Sequence, residues 1–157
     1  WGSNTFPIKD ATCTIFALNP KKPRRLLFFH AERKLAGALT VRGDEKESPV
    51  VRLGPAGSVI GRVLDRDGQP IAGADINPDS PDRSAGELYR QLRQRQPAVR
   101  TDKAGRFRLE GIVPEVKFTL AIVRGRTFFV GEPRIGLRQV KPGETLDLGD
   151  VRVKPGP

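Results

Sequence analysis

The sequence predicts an all-β fold, an antiparallel Greek-key β-sandwich with one short inserted helix. Ten short segments alternate between apolar and polar positions, as strands with one buried face do. Stretches rich in Gly, Pro, Asn and Asp separate these segments, and the 157 residues include 17 Gly and 14 Pro. Many short strands joined by closely spaced turns are typical of two packed antiparallel sheets.

The predicted strands run along the whole chain. In order they are CTIFAL, RLLFFHA, GALTVR, VVRL, SVIGRVLD, IAGADI, GRFRLEGI, KFTLAIV, RTFFVG and LDLGDVRVK. Residues 84–97 break the alternation, because Ser84 and Glu87 have capping-box spacing and Leu88 and Leu92 lie one helical turn apart. We therefore predict a short amphipathic helix, which either carries a binding function or covers an open end of the sheets.

Residues 64–76, LDRDGQPIAGADI, are predicted to form a tight turn between two strands. Asp67-Gly68 favours a hairpin, since glycine adopts a positive φ without a Cβ clash. Asp65 and Asp67 could instead bind calcium, but such a site needs several converging oxygens and a third carboxylate is missing nearby. We expect a turn here and no metal site.

Alternation in the later strands predicts which side chains enter the core. Phe107 and Leu109 share the inward face of one strand, while the arginines between them face solvent. Phe118, Leu120 and Ile122 continue the inward face in the next strand. These positions therefore have a packing role.

The reactive side chains are few. The single cysteine, Cys13, excludes an internal disulfide and is expected to be a buried strand thiol. His30 and Glu32 could form an acid–base pair, but the elements of a nucleophile and an oxyanion hole are missing. We expect no catalysis, no cofactor and no metal. No apolar run approaches the length that spans a bilayer.

The chain is strongly basic, with a net charge of +10. This excess could attract nucleic acid, anionic lipid or acidic polysaccharide, so a basic anion-binding domain is the alternative to a plain interaction module. Nucleic acid is the less favoured ligand, because few aromatics could stack on bases. Two basic clusters form the candidate interaction surface: Lys21, Lys22, Arg24, Arg25, Arg90, Arg93 and Arg95.

A faint internal repeat predicts the domain organisation. Residues 39–57 resemble residues 137–157, each with a strand, a charged turn, a second strand and a Gly/Pro exit. We therefore expect residues 1–55 to be a partial β unit, the second half of a preceding repeat, and residues 56–157 to be a complete unit. The partial unit should pack on the complete one through Leu26, Phe28 or Phe29. The start, WGSNTFPIKD, also suggests a piece of a longer protein.

Three stretches carry a resemblance to a known family: GSVIGRVLDRDGQPIAGADI, RTDKAGRFRLEGIVP and VKPGETLDLGDVRV. Residues 56 onward resemble the carboxypeptidase regulatory-like domain family, a transthyretin-like (prealbumin-like) and Ig-like β-sandwich. The resemblance implies a module without catalysis, as found in planctomycete and other bacterial multidomain proteins. It also implies a cell-envelope or extracytoplasmic location, and partners among neighbouring domains, another protein or a polysaccharide. The enzymes of related fold use several histidines or tyrosines, whereas this chain has one of each.

Overall fold

The computed structural model describes residues 6, 8, 10–133 and 135–157. These residues form a mainly β protein with one helix, as the alternation predicts. None of the helical structure in these ranges is long and apolar enough to cross a membrane. In chain order the elements are β1 (Arg24–His30), β2 (Leu35–Val41), β3 (Gly54–Pro55), β4 (Gly57–Leu64), β5 (Asp75–Asp79), α1 (Arg83–Arg95), β6 (Arg106–Ile112), β7 (Thr119–Arg124), β8 (Thr127–Gly131) and β9 (Thr145–Pro155).

The strands form two sheets. The smaller sheet has the order β1-β2-β3, and the larger has the order β5-β7-β8-β9-β4-β6. Below, β1 and β2 (residues 24–41) are the N-terminal hairpin, and residues 57–157 are the body. The early part of β9 pairs with β4 in parallel, and its end pairs with β8 in the antiparallel sense. The prediction of a purely antiparallel arrangement was wrong, because a long crossover returns β9 alongside β4 in the same direction.

The turn after β4 is confirmed, but its two flanking segments do not form a hairpin. Asp65 Oδ1 accepts the N–H groups of Asp67 and Gln69 at 3.0 and 2.8 Å, so this carboxylate caps the turn. Gly68 has the expected positive φ of 79°. Beyond a single bridge between Leu64 and Pro70, the chain departs, and β5 pairs with β7 instead.

The core is built from the alternating positions that the sequence predicts. Phe107 and Leu109 are 6% and 5% exposed, and Phe118, Leu120 and Ile122 are also buried. The same hydrophobic cluster extends to side chains of α1 and to the N-terminal hairpin. Strand alternation thus places the core correctly within the body.

Helix α1 starts at a different residue from the one expected. Asp82 is the N-cap, and its Oδ1 accepts the N–H groups of Ser84 and Ala85 at 2.9 and 3.1 Å. The predicted capping box between Ser84 and Glu87 was wrong, because Glu87 forms an ion pair with Arg90 one turn later. An aspartate satisfies the exposed N–H groups at a helix start as well as a serine does.

Two predicted strands are absent from the described part of the chain. Residues 13–18 and 50–53 have no strand structure, although both alternate in the sequence. Cys13 is therefore exposed and does not lie in a buried strand. Residues 51–53 instead cover one face of the N-terminal hairpin, where the side chains of Val51 and Leu53 lie against Gly37.

The N-terminal hairpin and its exit have the same construction as the end of the body. Pro55 pairs with Leu35 at the start of β2, and Pro155 pairs with Phe129 near the start of β8. The next residue makes an equivalent hydrogen bond in each place. Ala56 donates to the carbonyl oxygen of Lys34, and Gly156 donates to that of Phe128, both at 2.8 Å. The sequences VVRLGPAG (50–57) and DVRVKPGP (150–157) lie at these two exits.

Candidate interaction surface

The N-terminal hairpin packs its inner face on the body. Arg25, Leu27 and Phe29 alternate along β1 and share that face. Leu27 and Phe29 pack against the body's hydrophobic cluster, and Ala36 of β2, opposite Phe29, belongs to the cluster and is 3% exposed. The Phe29 ring lies so close to Gly111 that a Cβ there would be 3.1 Å from it.

This contact tests the expected packing residues individually. Of the three expected, Phe29 contributes to the contact with the body. Leu26 and Phe28 lie on the opposite face of β1, and Phe28 pairs with Gly37 beneath residues 51–53. The expectation that one of the three residues contributes is therefore confirmed by Phe29, and Leu26 and Phe28 point away from the body because successive side chains of a strand point to opposite faces.

Two ion pairs join the hairpin to the body at the edges of this apolar contact. Arg25 Nη1 lies 3.6 Å from Asp82 Oδ2, next to the start of α1. Lys34 Nζ pairs with Glu110 Oε2 at the end of β6. Lys34, and then Arg108, lowers the pKa of the Glu110 carboxyl below its ordinary value. The hairpin is thus fixed to the body by an apolar centre with charged pairs on either side.

Helix α1 closes the seam between β5 and β6, the two edge strands of the larger sheet. Ala85, Leu88 and Tyr89 are its buried residues. The Tyr89 hydroxyl accepts the N–H of Val113, just after β6, at 3.2 Å. Burial raises the pKa of Tyr89 to about 12. The helix therefore covers the open end of the sheet, which is one of the two alternatives that the sequence left open.

A small cleft of about 50 Å³ remains where the end of α1 meets the seam. Its lining includes Tyr89, Leu92 and Arg93 from the helix, with residues of β5 and β6 opposite. Ligand pockets usually enclose several hundred Å³, so this cleft is too small for a typical ligand. A second cleft of about 220 Å³ lies beside β9 and is lined by two acidic residues, Glu132 and Asp150, of which Glu132 is already bound by Arg66 and Lys154.

The seven predicted basic residues do not converge on one site. Arg25 and Arg90 are held by Asp82 and Glu87, and Arg24 donates to the backbone carbonyls of residues 16 and 17. The two clusters lie towards opposite ends of α1, whose 13 residues span roughly 20 Å. The remaining four are exposed and form no ion pair within the described part of the chain: Lys21, Lys22, Arg93 and Arg95.

His30 and Glu32, the possible acid–base pair, lie at the turn of the N-terminal hairpin. His30 Nδ1 accepts the N–H of Arg33 at 3.3 Å and so stabilises the turn of the N-terminal hairpin. Glu32 lies in that turn, beyond the end of β1, and does not continue the strand face of His30. Among the described residues, no group of three or more His, Cys, Asp and Glu side chains is placed to hold a metal ion.

Four residues of the hairpin–body contact and of the seam between β5 and β6 were not identified from the sequence: Asp82, Tyr89, Glu110 and Gly111. A usable signal existed for the helix, because Ala85, Leu88, Tyr89 and Leu92 follow the i, i+3, i+4, i+7 pattern of a buried face. No comparable signal existed for Glu110 and Gly111, whose partners are far away in the sequence.

Comparison with known proteins adds no further assignment. Neither the protein-family models nor the curated proteins contain a match to this chain.

Proposed function

We propose that this chain is a non-catalytic β-sandwich module that sets the position of one part of a larger bacterial protein relative to the next. The observation that supports it best is the packing of the N-terminal hairpin into the hydrophobic cluster of the body, through Leu27, Phe29 and Ala36. If a flexible linker joined the hairpin and the body, the two parts would move independently. A shared hydrophobic core instead holds them in one relative orientation.

The proposal includes the domain division and the family. Residues 1–55 are the second half of a preceding unit, and residues 56–157 form a Greek-key, transthyretin-like sandwich of the carboxypeptidase regulatory-like family. The equivalent exits at Pro55 and Pro155 support the first part. The sequence stretches quoted above support the second. The partners are then neighbouring domains of the parent protein, or another protein or a polysaccharide, in the cell envelope or outside the cytoplasm.

The test compares Phe29→Ala with Phe16→Ala in the full chain. Phe29 is half-buried against the body, whereas Phe16 is 76% exposed in the same N-terminal part. Losing a half-buried ring should cost about 2 kcal/mol, roughly half the cost for a fully buried phenylalanine. We expect one cooperative unfolding transition in the parent chain, slow proteolysis at residues 54–57, and faster proteolysis there in Phe29→Ala alone.

Two separate unfolding transitions in the parent chain, with rapid cleavage at residues 54–57, would overturn the proposal. The two parts would then be independent domains on a linker, and their relative position would not be fixed.

Anion binding is the second candidate function. It is favoured by the net charge and by the four exposed basic side chains that lack an acidic partner among the described residues: Lys21, Lys22, Arg93 and Arg95. Binding of acidic polysaccharide, DNA or RNA should then weaken steeply with salt, because each neutralised charge releases a counterion. Binding that is unchanged after replacement of Arg93 and Arg95 by Gln would argue against this site.

A further inference from the structure

The outer face of β7 and β8 carries an apolar surface that, among the described residues, is covered only at its edge, where Gly156 lies against Phe128 and Val130. Phe128 is 50% exposed, and Val123 pairs with it across the strands on the same side. Alternation adds Ala121 and Val130, both half-buried, to this face. We call these four residues the β8 face.

The β8 face is the equivalent of the inner face of the N-terminal hairpin. The matching hydrogen bonds at the two exits place Phe128 at the position of Lys34, and therefore Val130 at that of Ala36. By the same match the buried Phe129 is equivalent to Leu35, since each is the partner of the exit proline. Residues at alternate positions therefore point to corresponding faces in the two hairpins. The two faces are thus related by their equivalent exits, and both carry apolar side chains, although the hairpin face also carries Arg25 and Lys34.

In the N-terminal hairpin this face is covered by a β module. Ala36 is 3% exposed within the body's hydrophobic cluster, and Lys34 pairs with Glu110 of the body. Phe29 of the same face lies against Gly111. The surface that covers the hairpin is therefore the region of the body around Glu110 and Gly111.

We propose that the β8 face binds a second β module of the same construction, which presents its own equivalent of the Glu110–Gly111 surface. The equivalence of the β8 face to the hairpin face that contacts the body identifies this occupant. The proposal rests on the proposed positioning function and adds the surface through which the next module is held. Phe128 then fills the place that Lys34 occupies, next to the incoming module's Glu110 equivalent.

The test replaces Pro157 with a second copy of residues 57–157, so that Gly57 of the copy follows Gly156 as Gly57 follows Ala56 in the parent chain, at a position where a Cβ would collide with Val140. In a Cys13→Ser background, Phe128→Cys reports on the β8 face through its rate of thiol labelling. Leu137→Cys is the matched control, because Leu137 is 49% exposed and Phe128 is 50% exposed. We expect labelling at position 128 to slow at least tenfold on extension, and labelling at position 137 to stay unchanged.

A charge test fixes the orientation. In the extended chain, Phe128→Lys should keep the docked state, because Lys34 occupies the equivalent place beside Glu110. Phe128→Glu should release the appended copy and restore fast labelling at Val123→Cys, and Glu110→Lys in that copy should reverse this effect. Neither Phe128→Lys nor Phe128→Glu should shift the unfolding midpoint of the unextended chain.

Unchanged labelling at position 128 would overturn the proposal, whether the appended copy is folded elsewhere or remains unfolded. This failure is distinct from a failure of the proposed function, which is measured at residues 54–57 of the unextended chain.

Discussion

Replacing Tyr89 with phenylalanine should weaken the seal that α1 forms over the seam between β5 and β6. Tyr89 is 2% exposed, and its hydroxyl accepts the Val113 N–H at 3.2 Å. The variant keeps the ring but leaves this buried N–H without its acceptor. We expect a loss of about 1–3 kcal/mol in the free energy of unfolding at neutral pH, the usual cost of an unsatisfied buried donor.

The same substitution should remove a pH dependence. Burial raises the pKa of Tyr89 to about 12 in the folded chain, compared with an ordinary value of 10.0. Because the folded value is the higher one, the stabilisation is fully present below pH 10 and is lost as the pH rises toward 12. The difference of about 2 between the two pKa values corresponds to roughly 2.7 kcal/mol.

The assay is direct because the chain contains one tyrosine. Tyrosinate absorbance therefore follows Tyr89 alone, and the chain unfolded in denaturant provides the control, with a midpoint near pH 10. Unfolding curves of the parent chain and Tyr89→Phe should converge as the pH approaches about 12. A folded chain whose tyrosine titrates near pH 10 would refute the reasoning, since the ring would then reach solvent and α1 would not close the seam.

Three further predictions concern the body and its contact with the hairpin. Phe107→Ala should cost about 3–5 kcal/mol because its ring is buried, and an unchanged denaturation midpoint would show that the strand register is wrong. Gly105→Ala should lower the melting temperature more than Gly73→Ala; both glycines have positive φ, but only at Gly105 would a Cβ lie 2.5 Å from a backbone oxygen. Equal losses would contradict this. Acid should loosen the hairpin, because Lys34 lowers the pKa of Glu110 in the folded chain. The contribution is present above the unfolded pKa, near 4.3, and is lost as the pH falls through the folded value. Proteolysis at residues 54–57 should therefore quicken in acid, and Glu110→Gln should reduce that dependence.

Local patterns in the sequence predicted the parts of the fold that depend on near neighbours. The turn after β4 is an example, since Asp65 Oδ1 accepts the N–H groups of Asp67 and Gln69 at 3.0 and 2.8 Å. Strand alternation then placed Phe107 and Leu109 inside. Both features are decided within a few residues, where steric and hydrogen-bonding preferences act alone.

The pairing of distant strands was beyond the reach of these patterns. Alternation identifies β4 and β9 as strands, but it carries no information about which neighbours they choose or in which direction. The Asp65 turn likewise predicted a hairpin, and the chain beyond Pro70 leaves for the opposite edge of the larger sheet. Pro78 suits β5 to that edge, because proline cannot donate a hydrogen bond to a second neighbouring strand.

The hairpin–body contact could have been anticipated from a feature that alternation analysis tends to discard. β1 is apolar on both faces, with Leu26 and Phe28 on one and Leu27 and Phe29 on the other. Covering both faces of such a strand removes more apolar surface from water, and the structure covers one face with residues 51–53 and the other with the body. β8 carries the same two-sided pair in Phe128 and Phe129, yet only Phe129 is buried. The same gain from burial supports the proposed docked module at the outer face of β8, where Phe128 is 50% exposed.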